Sequence, residues 1–366
     1  MEITTPEEIV ADILLKSKVK SLLRFKCISK SCNSLISSQD FIKSHLHRSQ
    51  GDLSKFVCGS NFYDVNNSGE AVPVESPLEQ QLPFLNGENC TILCSSDGLV
   101  LLRISIDKLN HRKTKAKVRA DAYSLVLWNP STRQREVLPN PKTFAPYNTF
   151  ISYGLGYDSA TNCYKVVQCG YYRILVFSLE SYSWRKPKDF GFDITFSQAG
   201  TLTHGAFHWV AELENSSKIV VAFNLSDEKI VQLQLPNNDN NMYDYKTKYE
   251  LSVLQGNLCL LESINNICNG GDSPGAYLNI WVMKEYGVTA SWNKLITIAQ
   301  ERVYSVSAHF CFKNDAVFIV NKSLWDISAL LRYDLKNKEL KTLKTFEIEV
   351  PEMVSYVESL VSPNLI

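Results

Sequence analysis

The spacing of apolar positions changes once along the chain, near residue 50. Before that point Ile9, Val10, Ile13 and Leu14 recur at helical spacing behind Thr5-Pro6-Glu7-Glu8. That tetrapeptide supplies a hydroxyl cap, a proline in the first turn and a Glu three residues after the cap, so a helix is expected to begin there. A second helical segment carries Val19, Leu22, Leu23 and Ile28 on apolar positions, with Lys20, Arg24, Lys26 and Lys30 on polar ones. Leu35 and Ile36 suit a third short helix, and Asp40 is expected to cap a fourth bearing Phe41, Ile42 and Leu46. Residues 1–48 thus read as a helical module too small to bury much core alone, one that gains by docking on something else. One helix face does not readily hide both Leu22 and Leu23, so one of them is expected to face a partner.

From Lys55 onward the texture is β-branched and aromatic, with turn residues between short runs. Five segments repeat a scheme of apolar strand, polar turn and second strand: SLVLWNPSTRQREVLP from Ser124, RILVFSLESYSWRKPK from Arg173, IVVAFNLSDEKIVQLQLP from Ile219, LNIWVMKEYGVTASWNKLI from Leu278 and ALLRYDLKNKELKTLKT from Ala329. Their starts lie about 50 residues apart, the period of kelch-type propeller blades. A further hairpin precedes each, beginning near Glu88, Ser152, Gly200, Glu250 and His309. Asp97-Gly98, His204-Gly205, Gln255-Gly256 and Lys313-Asn314-Asp315 provide the tight turns. Two hairpins make a four-stranded blade, so five blades are visible. A sixth is expected to be split, with strands from Lys55–Pro77 closed by a return of Val354–Val361, which removes free sheet edges. Residues 49–366 therefore read as a mainly β, kelch-like β-propeller; six blades fit best, and five or seven are also compatible with the spacing.

Composition narrows the functions. The 366 residues are 45% hydrophobic and 21% charged, ordinary for a globular protein. Thirty-eight basic residues balance thirty-eight acidic ones, which argues against a broad grip on nucleic acid or an anionic membrane. No apolar run approaches the roughly 20 residues a spanning helix needs. The acidic start MEITTPEEIVAD lacks the pattern of a secretory signal, and ten cysteines occur without a CxxC pair. Reduced thiols in the cytoplasm or nucleus are the expectation.

The stretch PEEIVADILLKSKVKSLLRFKCISKSCNSLISSQDFIKSHL from Pro6 resembles an F-box. The β region is similar to the kelch-like F-box-associated domain of plant F-box proteins, on the strings LWNPSTRQREVLP, YGLGYDSATNCYKVV, HWVA, IWVMKEYGVTASWNKL and YVESLVSPN. The family includes immune-receptor turnover factors and S-locus pollen F-box proteins; Cys32, where a Trp is common, tilts the resemblance to the former. It implies a substrate-recognition subunit of a Skp–cullin–F-box ubiquitin ligase, not itself an enzyme. The helices would dock a Skp-type adaptor and the propeller would hold a target protein. Carried onto this sequence, the resemblance makes Pro6, Ile9, Ile13, Leu14, Val19, Leu22, Leu23, Cys27 and Ile28 the expected adaptor-binding residues. Thr5, Lys18 and Cys32 depart from the usual Leu, Pro and Trp. A lost large apolar contact is worth roughly 1.5–3 kcal/mol, so these departures are expected to weaken the adaptor interface without abolishing it. An adaptor-independent interaction scaffold is the alternative, and a propeller enzyme or sugar-binding module a second.

Other motifs read as structure. His204 and His208 with Glu212 faintly suggest a metal cluster, but the Gly205 turn separates the two histidines onto different strands and no HExxH is present. Tyr153-Gly154-Leu155-Gly156-Tyr157 lacks the third glycine and the strand-to-helix setting of a dinucleotide site. Cys94, Cys163, Cys169, Cys259 and Cys311 fall in strands, where Cys behaves as a small hydrophobe. No catalytic residue, metal or cofactor is expected. The basic run Lys108–Arg119 reads as a solvated insertion inside the first visible blade, without the aromatic interleaving of a nucleic-acid site. Asn237–Lys248 and Ser263–Ala276 are long polar loops of the kind that carry binding variation. Tyr243 and Tyr245 are the candidate target-binding residues.

Overall fold

The computed structural model describes residues 6–49, 55–58, 61–65, 71–74, 90–105, 123–141, 151–170, 173–187, 195–196, 200–213, 217–236, 247–265, 276–300, 305–312, 315–321, 328–346 and 353–364. Four helices come first: α1 (Pro6–Leu15), α2 (Val19–Phe25), α3 (Lys30–Ser37) and α4 (Gln39–Ser49). Ser29 caps α3 by accepting from the Cys32 N–H at 3.1 Å. The α4 cap is Ser38, whose hydroxyl accepts from the Phe41 N–H at 3.3 Å; Asp40, the residue expected from sequence, lies inside the first turn. An acidic group there still suits the positive end of the helix dipole.

Beyond the helices, the strands among the described residues all pair antiparallel. Blade 1 is ordered β25 (Met353–Tyr356), β1 (Lys55–Cys58), β2 (Asn61–Val65), β3 (Ala71–Val74). Blade 2 comprises β4 (Cys90–Ser96), β5 (Leu99–Ser105), β6 (Tyr123–Trp128) and β7 (Arg135–Leu138). Blade 3 comprises β8 (Ser152–Asp158), β9 (Cys163–Gly170), β10 (Arg173–Ser178) and β11 (Ser183–Arg185). In blade 4 the inner position is shared by β12 (Thr195–Phe196) and β13 (Thr201–Thr203), both paired with β14 (Ala206–Glu212), followed by β15 (Lys218–Asn224) and β16 (Ile230–Gln234). Blade 5 holds β17 (Thr247–Leu254), β18 (Asn257–Asn265), β19 (Ala276–Met283) and β20 (Trp292–Gln300). Blade 6 holds β21 (Ser305–Phe312), β22 (Asp315–Asn321), β23 (Ser328–Asp334) and β24 (Glu339–Phe346). Each sheet packs on the next through its inner strands, and β21 packs on β25, which closes the ring. The blade expected to be split is the one that closes it: β25 pairs with β1, with Val57 opposite Val354 and Lys55 opposite Tyr356.

Two turn devices repeat. Between the first two strands of a blade, Asp97-Gly98, His204-Gly205 and Gln255-Gly256 have positive φ at both residues, the type I′ geometry that matches strand twist. Residues 313–314 of the remaining expected turn lie outside the described residues. Between the last two strands, an Asn or Asp begins a five-residue turn whose fifth residue is left-handed. The N–H groups of Arg133, Glu228 and Lys338 donate to the carbonyls of Asn129, Asn224 and Asp334 at 2.9, 3.0 and 2.8 Å. The Asx side chains accept from the N–H two residues on, at 2.8 Å for Ser131 and Ser226 and 2.9 Å for Lys336. Gly154 and Gly156 serve packing between blades: a Cβ at Gly154 would overlap the Phe207 ring of blade 4, and one at Gly156 would meet Leu202 and Leu225 at 2.8 Å.

The helical module docks on the ring. Leu14, Val19, Leu22, Ile36 and Phe41 form one buried core with Leu360 from the C-terminal segment. Leu46 of α4 joins Leu99, Leu101, Leu127, Tyr164 and Val361 in the core between blades 2 and 3. Lys43 Nζ donates to Asn162 Oδ1 at 2.6 Å and lies 5.8 Å from the centre of the Tyr157 ring.

Candidate docking surfaces on the helices and the propeller

The helix cores and surfaces divide the sequence-expected adaptor residues into two sets. Leu14, Val19 and Leu22 are buried, and Leu22 is fully so. These three build the core against Leu360 and are not available to touch a partner. Leu23 is partly buried against the same core, along with Phe25 and Cys32. Ile9, Ile13 and Ile28 are instead 50%, 59% and 69% exposed, and Cys27 is exposed as well. Pro6 opens α1. Of the Leu22–Leu23 pair, Leu23 is therefore the one with surface to offer. Val10, absent from the sequence-expected set, is also well exposed beside Ile9. Three large aliphatics on one short helix, left uncovered while their neighbour Leu14 is buried, make an apolar patch of the kind that marks a contact surface.

The frame behind that patch is tied down by polar groups. Asp12 accepts from Lys16 at 2.6 Å and from Arg48 of α4 at 3.2 Å. The hydrogen bond from Lys16 chiefly holds its carboxyl below the usual range. His45 Nε2 donates to the Ser17 carbonyl at 2.9 Å, joining α4 to the α1–α2 turn. Lys18 stands at the N-cap of α2 with φ −65° and makes no side-chain cap bond.

The propeller end nearest the helices is occupied by the C-terminal segment. Asn129 Nδ2 donates to the carbonyls of Ser359 and Val361 at 3.1 and 2.6 Å, and Gly98 (φ +83°) lies against Val357 and Ser359. Asp97, Asn129 and Asn162 all belong to turns at this end. The ends of β5 and β6, and of β18 and β19, that flank residues 106–122 and 266–275 therefore lie at the opposite end of their blades. Tyr243, Tyr245 and the basic run Lys108–Arg119 fall outside the described residues.

The ionisable clusters in the blades are structural in their contacts. Lys165 and Asp158 form a buried pair at 2.8 Å. Lys165 Nζ also donates to the Leu225 carbonyl at 2.6 Å, and Ser226 Oγ donates to Asp158 at 2.6 Å, so the network ties blade 3 to blade 4. Burial raises the Asp158 carboxyl, but the bonds from Lys165, Ser226, Thr161 and the Ala160 N–H outweigh it, and the group sits well below the usual range. His204 lies in the turn after β13 and His208 on β14, on separate sides of Gly205. The His204 ring stacks on Tyr286 at 4.3 Å between centroids, and His208 Nε2 bonds the Tyr286 hydroxyl at 2.9 Å. His208 Nδ1 donates to the Thr201 carbonyl at 3.2 Å. Burial, reinforced by nearby His204, lowers His208 to about 4. Glu212 is the terminal pair of β14 with Lys218 of β15. Cys163, Cys169 and Cys259 are buried, and burial pushes the Cys169 thiol well up. Among the described residues no group of three His, Cys, Asp or Glu side chains is placed to hold a metal, and no helix is long and apolar enough to cross a membrane.

Comparison with known proteins agrees with this two-part layout. Residues 6–44 match the F-box domain and residues 79–363 the F-box associated beta propeller domain. The F-box protein CPR1 of Arabidopsis thaliana is 29% identical over an alignment covering 93% of this chain and 84% of that one. The F-box/kelch-repeat protein At3g23880 of the same plant is 26% identical over 80% of this chain and 79% of its own length. The F-box protein At4g22390 is 24% identical over 92% and 85%. With one end of the ring bound to a helical F-box and the match to the propeller domain spanning most of the sequence, the chain belongs to the F-box proteins that carry an F-box-associated β-propeller.

Proposed function

We propose that this protein is the substrate receptor of a Skp–cullin–F-box ubiquitin ligase in the cytoplasm or nucleus, with the exposed face of α1 and the α2–α3 turn docking the Skp-type adaptor and the propeller holding the target. The observation that carries this reading is the uncovered aliphatic set Ile9, Val10, Ile13 and Ile28 on an otherwise well-packed module. The chain performs no bond chemistry in this scheme; it holds a target at high effective concentration near a charged conjugating enzyme. The test is adaptor binding by the purified chain beside an Ile9→Asp/Ile13→Asp variant. Both positions are surface residues, so the variant keeps its fold by circular dichroism and melting temperature. Sub-micromolar binding that weakens at least ~10-fold in the variant supports the reading, since each buried aliphatic contributes roughly 1.5–3 kcal/mol. A folded wild-type chain that binds no adaptor overturns it and favours an adaptor-independent scaffold.

A further inference from the structure

Charge is balanced over the whole chain but not within the F-box. From Ile13 to Gln39 there is no Asp or Glu, while Lys16, Lys18, Lys20, Arg24, Lys26 and Lys30 are all basic. Lys16 is engaged by Asp12 at 2.6 Å. The other five have no carboxylate partner among the described residues, and Lys18, Lys20, Arg24 and Lys30 are exposed. The flanking helices carry Glu7, Glu8 and Asp12 on α1 and Asp40 on α4, of which Asp12 is shared between Lys16 and Arg48. The same segment carries the exposed Ile28, flanked by Lys26 and Lys30, and begins at the exposed Ile13.

We infer that this basic arc, which carries the exposed Ile28 between Lys26 and Lys30, is an electrostatic collar beside the exposed aliphatics, and that its occupant is a protein surface with an apolar groove bordered by carboxylates. The inference rests on the adaptor reading and adds the sign and kinetic role of the charges. A phosphate polymer would answer the charge but not the large aliphatics Ile9, Ile13 and Ile28; an anionic bilayer answers both, so the choice of an acidic protein groove rests on the match of residues 6–44 to an F-box, and vesicle binding is the arm that tests it. Charges at the edge of an interface act mainly on encounter, raising association rates by 10–10³-fold in a salt-dependent way while leaving dissociation nearly unchanged. Lys18 is part of this arc. Where the related F-box pattern carries an uncharged proline, this chain carries a cation, so lost rigidity at the α2 start is accompanied by a gain in attraction.

The experiment is stopped-flow or surface-based kinetics of the full chain with a Skp-type adaptor from about 50 to 500 mM salt. It is run beside Lys18→Gln/Lys20→Gln/Arg24→Gln/Lys30→Gln, checked for an unchanged melting temperature. The expected result is an association rate that falls about 10-fold or more with salt in the wild type. In the variant the rate is low at every salt concentration, with a flattened slope and a dissociation rate within about 2-fold of wild type. Tight adaptor binding whose association rate ignores both salt and the substitutions overturns the collar and leaves the adaptor reading intact. No binding at any salt concentration overturns the adaptor reading and the collar with it. Equal salt-sensitive binding of the arc to single-stranded RNA or phosphatidylserine vesicles overturns the assignment to an acidic protein.

Discussion

Asn129 Nδ2 donates to the Val361 carbonyl at 2.6 Å, and through that bond the turn between the last two strands of blade 2 holds the C-terminal segment in place beneath the helices. The same amide group reaches the Ser359 carbonyl at 3.1 Å, while its oxygen caps the turn at Ser131. Asn129→Ala removes all of these and leaves two buried carbonyls short of a donor, at about 1–3 kcal/mol for each unsatisfied group. Gly98→Ala attacks the same site from the other side, because the new Cβ overlaps Ser359 and the backbone is left-handed there. Both variants are expected to lower the denaturant midpoint, and the double variant to fall short of the sum because the sites share Ser359.

Leu22→Ala and Ile13→Ala separate core from surface within one module. Leu22 is wholly buried and touches the Leu360 core, so its truncation is expected to cost about 2–5 kcal/mol of stability. Ile13 is 59% exposed, and its truncation should move the melting temperature little while weakening adaptor binding. A melt and an adaptor titration on the two variants check this; equal destabilisation by both would contradict the division.

Removing one member of the Lys165–Asp158 pair leaves the other charge buried, a situation that costs about 3–5 kcal/mol. Lys165→Met is therefore expected to destabilise more than any exposed Lys→Met change. The pH dependence has a definite sign. Asp158 ionises more readily folded than unfolded, so its contribution is present above about pH 4 and lost as pH falls toward its folded value. Asp158→Asn should flatten that acid limb of the stability curve.

His208 behaves in the opposite chemical sense with the same direction in pH. Burial keeps it neutral down to about 4 in the folded chain, whereas the unfolded chain takes the proton near pH 6.5. Stability is thus lost as pH falls from about 6.5 to about 4, by up to about 3 kcal/mol, and then levels off. Denaturation of wild type and His208→Asn across pH 4–7 isolates this limb; an identical slope in the two proteins would refute the assignment.

Lys18→Pro restores the residue common in the related F-box pattern. Lys18 has φ −65° and caps α2 without a side-chain bond, so the ring fits the backbone already present. A gain of about 0.4–1 kcal/mol is expected from the stiffer unfolded chain. By the collar argument the same change slows adaptor association at low salt, so stability and association rate should move in opposite directions.

The ring was legible because its signals are local and repeated: alternating apolar strands, Asp97-Gly98 and its counterparts, and starts spaced like blades. Even closure by the C-terminal strand followed from counting hairpins, since five complete blades left unpaired strands at both ends. The helices were legible as elements but not in their faces. Leu14, Val19 and Leu22 appear in sequence as equal candidates with Ile9 and Ile13, and it takes the packing of Ile36, Phe41 and, from the far end of the chain, Leu360 to decide which are covered. The cap of α4 shows a smaller version of the problem: Ser38 and Asp40 are both good caps, and two residues of register choose between them. Gly154 and Gly156 lie in a GxG string whose reason is Phe207 and Leu202 in the next blade, a contact no local pattern contains.

The core residue Leu360 imposes an order on biosynthesis. The helical module is made before the blades, yet its interior lacks that side chain until every strand through β25 has been made, and β1 waits almost as long for β25. Such far-separated contacts carry a large loop-closure cost and form late. A chain halted before that segment leaves Leu22 without its Leu360 neighbour. One C-terminal segment thereby completes both the interior of the helical module and the closing sheet of the ring, so its loss would open the two together.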